Sequence, residues 1–248
     1  MVNLESAKPF ALSIRCPPGY FLPRSSGQAA RMTLASPSRG PKLAVPPAMD
    51  PLMQDSELAK FLVERSYRHA RPGEEFKLAS GETSTFYWEC QFTTLYAPAL
   101  PLLGAAFLRK FKELGVWPEA VGGPVLGADP ITLAIVNTSL DRGPVIQGFR
   151  IRKEPKSHGT QRSIENCPAA GTRVVVVDDV VTRGGSVCQA INTCRDEDLN
   201  VIACVVLLDR EQGGMEKISH AMHGAPSGSI FTQSSLRSLI EQRWPPSR

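Results

Sequence analysis

The stretch that decides the fold reads Arg173-Val-Val-Val-Val-Asp178-Asp179-Val-Val-Thr182-Arg183-Gly184-Gly185-Ser186. Its four consecutive valines predict a strand over 174–177 that is buried on both faces, as in a parallel sheet. The two carboxylates follow at the C-terminal end of that strand, where ligands bind in open α/β sheets. The glycines of the next turn let the backbone approach an anion closely, and the amides that open the following helix point at that anion. A phosphate and two adjacent sugar hydroxyls would satisfy the turn and the carboxylates together.

A purely structural role, a P-loop and a dinucleotide-binding turn each fit this segment less well. An acidic strand end followed by a Gly-Gly turn would need no ligand, but two adjacent carboxylates at a buried edge are costly without partners. A P-loop is excluded because no Gly-Lys-Ser/Thr follows. The glycine fingerprint of dinucleotide-binding folds is also absent.

The flanking sequence alternates between helical and strand patterns. We expect helices over 56–70, 101–114, 130–140, 185–197 and 234–242. We expect a hairpin or two short strands over 75–90, strands over 120–125, 145–151, 174–177 and 201–208, and a polar loop over 152–172. Apolar strands that alternate with helices predict an α/β fold, a parallel sheet flanked by helices, with a small N-terminal hood of helix and strand. Residues 51–248 are expected to form this domain, and residues 1–50, with eight prolines, are expected to be a disordered extension.

Charge and cysteine content exclude several classes of protein. The formal net charge of +4 comes from the first fifty residues, since residues 51–248 hold 22 basic and 22 acidic side chains. A general nucleic-acid-binding surface is therefore not indicated. No stretch approaches the ~20 apolar residues of a membrane span. The six cysteines include no C-x-x-C pair, so neither a zinc site nor a disulfide framework is expected, and a reducing cytoplasm fits.

The segment 174–186 resembles the phosphoribosyl pyrophosphate signature of the type I phosphoribosyltransferases. In that family the two acids hold the ribose hydroxyls and the turn holds the 5′-phosphate. The resemblance implies binding of phosphoribosyl pyrophosphate by Asp178, Asp179, Val180, Val181, Thr182, Arg183, Gly184, Gly185 and Ser186, together with Arg152. Arg183 stands where small residues or threonine are common in the family.

A second motif, Phe149-Arg-Ile-Arg152-Lys153-Glu-Pro-Lys156-Ser-His158-Gly-Thr160, resembles the basic loop of the orotate phosphoribosyltransferases. Breaking the anomeric C–O bond leaves negative charge on pyrophosphate, and cations placed there stabilise the transition state more than the ground state. The resemblance implies catalytic roles for Lys153, Lys156 and His158, with Asp179. In the family this loop reaches the neighbouring subunit's site, which implies a homodimer with shared active sites.

Further motifs concern the base and the leaving group. The stretch 76–88 resembles the family's Phe-x-Leu-x-Ser-Gly-x-x-Ser-x-Tyr-x segment, and 207–214 its Asp-Arg-x-x-Gly stretch. Together they imply orotate contacts from Tyr87, Trp88, Thr182 and Arg210. Many members carry a lysine at Ala79; Lys77 on the same strand face is a candidate substitute. The stretch 122–131 resembles the pyrophosphate-binding loop, without the lysine that many orotate enzymes have there.

The resemblance implies transfer of ribose 5-phosphate to orotate, with Mg²⁺ held mainly by the substrate rather than by protein ligands. Two alternatives remain open. One is a phosphoribosyltransferase for another base, and the other is a regulatory protein that senses phosphoribosyl pyrophosphate.

Overall fold

The computed structural model describes residues 51–70, 74–77, 83–152 and 163–245. The expected disordered extension over 1–50 lies outside the described residues, and so does the turn expected at 80–81.

The N-terminal part of the described chain is a small hood of helices and short strands. Its elements are α1 (Pro51–Phe61), a π-helical turn (Leu62–Ser66), β1 (Tyr67–His69), β2 (Phe76–Lys77), β3 (Thr83–Ser84), β4 (Phe86–Trp88) and α2 (Gln91–Thr94). The expected hairpin is present, since β2 pairs antiparallel with β3. The predicted helix over 56–70 is wrong at its C-terminal end, because Tyr67–His69 pairs antiparallel with β4 instead. The Tyr67 ring packs edge-on against Trp88 at 4.9 Å between centroids, and this tertiary contact outweighs local helix propensity.

The rest of the chain builds a layered α/β domain. Its elements are α3 (Leu100–Glu113), β5 (Ala120–Pro124), α4 (Ala128–Arg142), β6 (Gln147–Ile151), β7 (Ile164–Glu165), β8 (Arg173–Val181), α5 (Gly185–Asp196), β9 (Asn200–Asp209), α6 (Gly214–Ala221), β10 (Ser227–Thr232) and α7 (Arg237–Arg243). The sheet order is β10-β9-β8-β5-β6-β7. All neighbours are parallel except β7, which pairs antiparallel with β6. The predicted α/β fold with a parallel sheet is confirmed.

Four elements of this domain differ from the sequence prediction by more than their end residues. The strand expected over 174–177 continues to Val181, because Val180 and Val181 pair with Leu208 and Asp209 of β9. The segment expected to be a loop over 152–172 contains β7. Helix α6 and strand β10 are not among the elements that the sequence pattern predicts.

The four valines of β8 divide between two hydrophobic cores. Val175 and Val177 join the cluster beneath α3 and α4, whereas Val174 and Val176 join the cluster beneath α5. All four are fully buried. Successive side chains of a strand point to opposite faces, and each face of β8 packs against a helical layer. A continuous apolar run is therefore needed here.

Helices α3 and α4 approach closely at Gly104. A Cβ atom there would lie 2.0 Å from Thr138 Oγ1 and 2.5 Å from the Ala134 carbonyl oxygen. Only a glycine fits, and this contact sets the position of α4 behind the loop that precedes it. No helix within the described ranges has the length and apolar character needed to cross a membrane.

Candidate active site

A cavity of about 600 Å³ lies at the carboxyl ends of β5 and β8, under the hood. Parallel strands bring the loops at their carboxyl ends to the same edge of the sheet, where ligands bind. The lining residues are Tyr87, Trp88, Glu89, Cys90, Gln91, Thr94, Leu95, Pro124, Val125, Leu126, Gly127, Asp129, Pro130, Asp178, Asp179, Val180 and Ser186. Three of the segments singled out in the sequence therefore meet in one place: the acidic strand end, the Gly-rich loop and the aromatic strand.

The two carboxylates at the end of β8 are held by their own backbone. Asp178 is 5% exposed, and its Oδ1 accepts a hydrogen bond from the Asp179 amide at 3.0 Å. Asp179 Oδ1 accepts one from the Val180 amide at 2.8 Å. Burial raises the pKa of Asp179, and these backbone hydrogen bonds only partly offset that effect. A buried carboxylate with a raised pKa is typical of a binding site that awaits a polar ligand.

Gly127, in the loop between β5 and α4, lies directly against this pair. A Cβ atom at position 127 would lie 2.5 Å from Asp179 Oδ1 and 3.0 Å from Asp178 Oδ1. A neighbouring glycine is equally constrained, because a Cβ at Gly123 would lie 1.8 Å from the Val177 carbonyl oxygen. The backbone of the Gly-rich loop thus packs directly against the end of β8 and its carboxylates. Only glycine allows so close an approach.

The turn that opens α5 is supported from behind by α6. Gly184 has φ +70° and precedes the first helical residue, Gly185. A Cβ atom at Gly184 would lie 2.7 Å from the Gly214 carbonyl oxygen, and one at Gly214 would lie 2.6 Å from the Thr182 carbonyl oxygen. In the sequence Gly214 belongs to the base-side motif, and its support of the turn depends on a tertiary contact that the sequence does not reveal.

The remaining residues of the predicted phosphate segment differ in exposure. Ser186 is exposed and lines the cavity, Thr182 is half-buried, and Arg183 is exposed. Val180 is half-buried and lines the cavity. Val181 is 1% exposed with its side chain in the core, and its carbonyl oxygen accepts a hydrogen bond from the Arg210 amide at 3.0 Å. Only backbone atoms of Val181 are therefore positioned to face a ligand.

Arg210 is a buried cation beside this cavity rather than in its lining. It is 6% exposed and, within the described residues, its Nε has no hydrogen-bond partner. Its guanidinium lies 5.0 Å from the Phe86 ring centroid, and burial lowers its pKa. A second cavity of about 320 Å³ is lined by Tyr67, Arg210, Glu211, Gln233, Ser234, Arg237, Ile240 and Glu241. A buried guanidinium nitrogen without a partner costs free energy, which an anionic ligand would recover.

The charges of Asp178, Asp179 and Arg210 all affect the pKa of Cys90. Its fully buried thiol lines the larger cavity, and its pKa is raised by burial and by Asp179 and Asp178, while Arg210 acts in the opposite direction. The sequence alone indicates no place for Cys90 at the site. A buried cysteine in a strand-helix connection carries no distinguishing signal.

The aromatic residues of β4 take different positions. Tyr87 is 42% exposed and packs 6.1 Å from Phe76, while Trp88 is 2% exposed. Trp88 Nε1 has no hydrogen-bond partner among the described residues. Both line the larger cavity, so a planar ligand would meet one exposed ring and one buried ring there.

The basic segment over 149–160 is described only over 149–152. Lys153, Lys156 and His158 lie outside the described residues. Arg152 is described and donates from Nε to Glu165 Oε1 at 2.9 Å, with Nη2 against the same oxygen. It does not line the larger cavity. The Arg152 amide donates to the Ser163 carbonyl oxygen at 2.9 Å, which continues the β6–β7 ladder by one residue.

The site offers few metal ligands of its own. Within the described ranges no group of three or more His, Cys, Asp or Glu side chains could hold a metal ion. Asp178 and Asp179 supply the carboxylate oxygens that Mg²⁺ prefers, and Mg²⁺ is often held by one or two carboxylates, water and substrate phosphates. These residues therefore fit a magnesium ion that is held jointly with a phosphorylated substrate.

Comparisons with known proteins agree on one family. Residues 149–231 match the model of the phosphoribosyl transferase domain. The orotate phosphoribosyltransferase of Aquifex aeolicus is 40% identical over 185 residues, which are 75% of this chain and 98% of the relative. The solved structure of Mycobacterium tuberculosis orotate phosphoribosyltransferase with 5-phospho-alpha-D-ribosyl 1-diphosphate is 28% identical at TM-score 0.60, covering 74% of this chain and 99% of that one. The structure of the Aeropyrum pernix orotate phosphoribosyltransferase is 27% identical at TM-score 0.61, covering 75% and 98%.

Proposed function

The chain belongs to the orotate phosphoribosyltransferase family, and on that premise we propose that it transfers ribose 5-phosphate from 5-phosphoribosyl pyrophosphate to orotate. The products are orotidine 5′-monophosphate and pyrophosphate, in de novo pyrimidine synthesis. The observation that carries the proposal is the convergence of the Asp178–Asp179 pair and the Gly127 loop on one cavity, with the Thr182–Ser186 turn beside them. Residues 51–248 form the transferase domain.

Binding of the sugar diphosphate divides among three segments. Asp178 and Asp179 accept hydrogen bonds from the ribose hydroxyls, which satisfies carboxylates that burial otherwise penalises. The amides and hydroxyls of residues 182–186 hold the 5′-phosphate at the N-terminus of α5. The Gly-rich loop over 122–127 holds the diphosphate through backbone amides, because no side chain fits against Asp179 there.

The reaction breaks the bond between the anomeric carbon and the diphosphate oxygen. Positive charge develops on the ribose and negative charge on the diphosphate, so fixed cations at the leaving group lower the barrier. Arg152, Lys153 and Lys156 supply that charge, and His158 donates a hydrogen bond or a proton to the leaving oxygen. Asp178 and Asp179, together with the substrate, would hold Mg²⁺, which would supply further neutralisation of the negative charge.

Orotate is held by a buried cation and by aromatic surfaces. Arg210 has an Nε without a partner in the described part of the chain, and its charge suits the orotate carboxylate or a ring carbonyl. The exposed ring of Tyr87 and the edge of Trp88 contact the pyrimidine, and Thr182 adds a hydroxyl.

The proposed assembly is a homodimer with shared active sites, in the cytoplasm. Leu133 and Leu140 are 64% and 61% exposed and lie seven residues apart on α4. Such a pair on one helix face is suited to packing against a second copy. No disulfide joins the five cysteines of the described residues, in keeping with a reducing compartment.

A panel of bases tests the proposal. Orotate, uracil, adenine, hypoxanthine and xanthine are each incubated with phosphoribosyl pyrophosphate and Mg²⁺, and pyrophosphate release is measured. We expect turnover with orotate alone. Turnover of a purine without turnover of orotate would overturn the assignment of the base, and no turnover with any base would overturn the assignment of the reaction.

A further inference from the structure

Four charged residues form a network beside the diphosphate loop, where β6 and β7 pair. Glu165 lies opposite Arg150 in the antiparallel ladder. Its Oε1 accepts both contacts from Arg152, and its Oε2 lies 3.8 Å from Arg150 Nη1. Arg150 Nε in turn lies 3.8 Å from Asp129 Oδ1, in the first turn of α4. Among the described residues the network therefore joins two cations and two anions, with Glu165 between the two arginines.

The network adjoins the proposed diphosphate site. The Val125 amide in the Gly-rich loop donates to the Ile151 carbonyl oxygen at 2.9 Å, one residue before Arg152. Asp129 lines the same cavity as the two acids at the end of β8. Arg152 is thus tied by its backbone to the strand that flanks the diphosphate loop.

Glu165 occupies an edge of Arg152 that can bind an oxyanion through two donors. A guanidinium offers Nε and one Nη as a planar fork that matches either a carboxylate or a phosphate, and the Glu165 carboxylate takes that fork. A diphosphate oxygen and Glu165 cannot both hold it. The two anions therefore compete for one cation.

Release of Arg152 by Glu165 leaves no isolated charge. Glu165 keeps Arg150 as a neighbour at 3.8 Å, and Arg150 keeps Asp129. The side chains of Arg152 and Glu165 are 37% and 29% exposed, so water screens the pair and limits what its loss costs. An exchange of partners at Arg152 is therefore inexpensive.

From this geometry we propose that Glu165 is a positioning residue that holds the oxyanion-binding fork of Arg152 and yields it to the diphosphate of the substrate. Glu165 thereby weakens the affinity for phosphoribosyl pyrophosphate and for the pyrophosphate product, and it favours product release. The inference rests on the proposed function only in that it takes a diphosphate as the ligand of Arg152.

Calorimetry in the presence of Mg²⁺ measures the affinity of the wild type and of Glu165→Gln for pyrophosphate. Glutamine keeps the size and an acceptor oxygen but removes the competing charge. We expect the dissociation constant to fall about two- to fivefold, the range that corresponds to a partly exposed ion pair. The KM for phosphoribosyl pyrophosphate falls with it. An unchanged or weaker affinity would overturn the proposal, and so would the absence of pyrophosphate binding by the wild type.

Two further variants separate positioning from a structural effect. In an Arg152→Ala background the Glu165→Gln change should have no effect on affinity, and a persisting effect would show that Glu165 acts elsewhere. Glu119→Gln is the matched control, because Glu119 pairs with Arg173 at the opposite end of the sheet and should leave affinity unchanged. Absence of orotate turnover in the wild type would count against the proposed function, whereas pyrophosphate affinities alone decide this inference.

Discussion

Asp179 carries a conflict between stability and binding. Burial raises the pKa of its carboxyl, so the ionised form is disfavoured in the folded chain without a ligand. Ribose hydroxyls would relieve that cost by donating hydrogen bonds. Residues whose burial is unfavourable in the free protein are expected at functional sites, because a bound ligand then supplies hydrogen-bond donors.

Replacement of Asp179 by Asn should stabilise the free protein at neutral pH while abolishing sugar-diphosphate binding. The folded chain holds the Asp179 proton more tightly than the unfolded chain. Its stabilising contribution is therefore fully present below the ordinary pKa of 3.8 and is lost as the pH rises through the raised value. We expect Asp179→Asn to raise Tm at pH 7 by about 2–4 °C, the shift that ~1 kcal/mol produces in a domain of this size.

Thermal unfolding at several pH values measures this difference. The gap between the variant and the wild type should shrink as the solution is acidified toward pH 4. A gap that stays constant with pH would show that Asp179 is not the group responsible.

Gly127 leaves no room for a side chain between its backbone and the carboxylate pair. Gly127→Ala places a methyl group 2.5 Å from Asp179 Oδ1 and displaces the carboxylate pair. Overpacking of this kind costs about 1–3 kcal/mol, so the KM for phosphoribosyl pyrophosphate should rise by about tenfold or more. Gly228→Ala in β10 is the control, since the added methyl has 3.9 Å of room. Equal steady-state kinetics for the two variants would argue against the observed packing.

Arg210→Ala should weaken orotate far more than the sugar diphosphate. Loss of a hydrogen bond to a charged group costs about 1.5–3 kcal/mol, which corresponds to roughly a ten- to hundredfold rise in the orotate KM. Arg237→Ala serves as the comparison, because Arg237 lines the same second cavity but is exposed and paired with Glu241. If the KM for phosphoribosyl pyrophosphate rose instead, Arg210 would belong to the sugar site.

A candidate site is easiest to identify in a sequence where its residues are contiguous along the chain. Asp178, Asp179 and the turn to Ser186 were recognisable because strand, acids and glycines follow one another. The approach of Gly127 to the acids and the placement of Arg210 beside a second cavity were not, because both depend on segments that meet only after folding.

The same contrast holds for whole elements. The valine run over 174–177 predicted a buried central strand, since both of its faces must be apolar. The extension of β8 to Val181 depends on ladder hydrogen bonds with β9, and β1 exists only because Tyr67 pairs with β4. Strand β10 was missed because Ser227–Thr232 is half-buried and lacks a strong apolar pattern.

The contact between α3 and α4 should be sensitive to a single methyl group. Gly104→Ala would place a Cβ 2.5 Å from the Ala134 carbonyl oxygen, and backbone cannot move aside as a side-chain tip can. We expect the free energy of unfolding to fall by about 1–3 kcal/mol in urea denaturation. Wild-type stability in Gly104→Ala would mean that the two helices are farther apart than observed.

At the scale of the whole molecule, the exposed leucines Leu133 and Leu140 of α4 predict self-association. Leu133→Asp would bury a charge in the proposed interface, so sedimentation should show monomers with turnover reduced at least tenfold if the sites are shared. Leu52→Asp, at a leucine 79% exposed in α1, is the matched control and should leave the dimer intact. An unchanged dimer in Leu133→Asp would place the interface on another face.

A crystal structure with phosphoribosyl pyrophosphate and Mg²⁺ tests the central claim most directly. We expect the 5′-phosphate on the amides of residues 182–186, the ribose hydroxyls on Asp178 and Asp179, and the diphosphate along the loop before α4. A sugar diphosphate bound elsewhere, with neither carboxylate in contact with it, would contradict this placement.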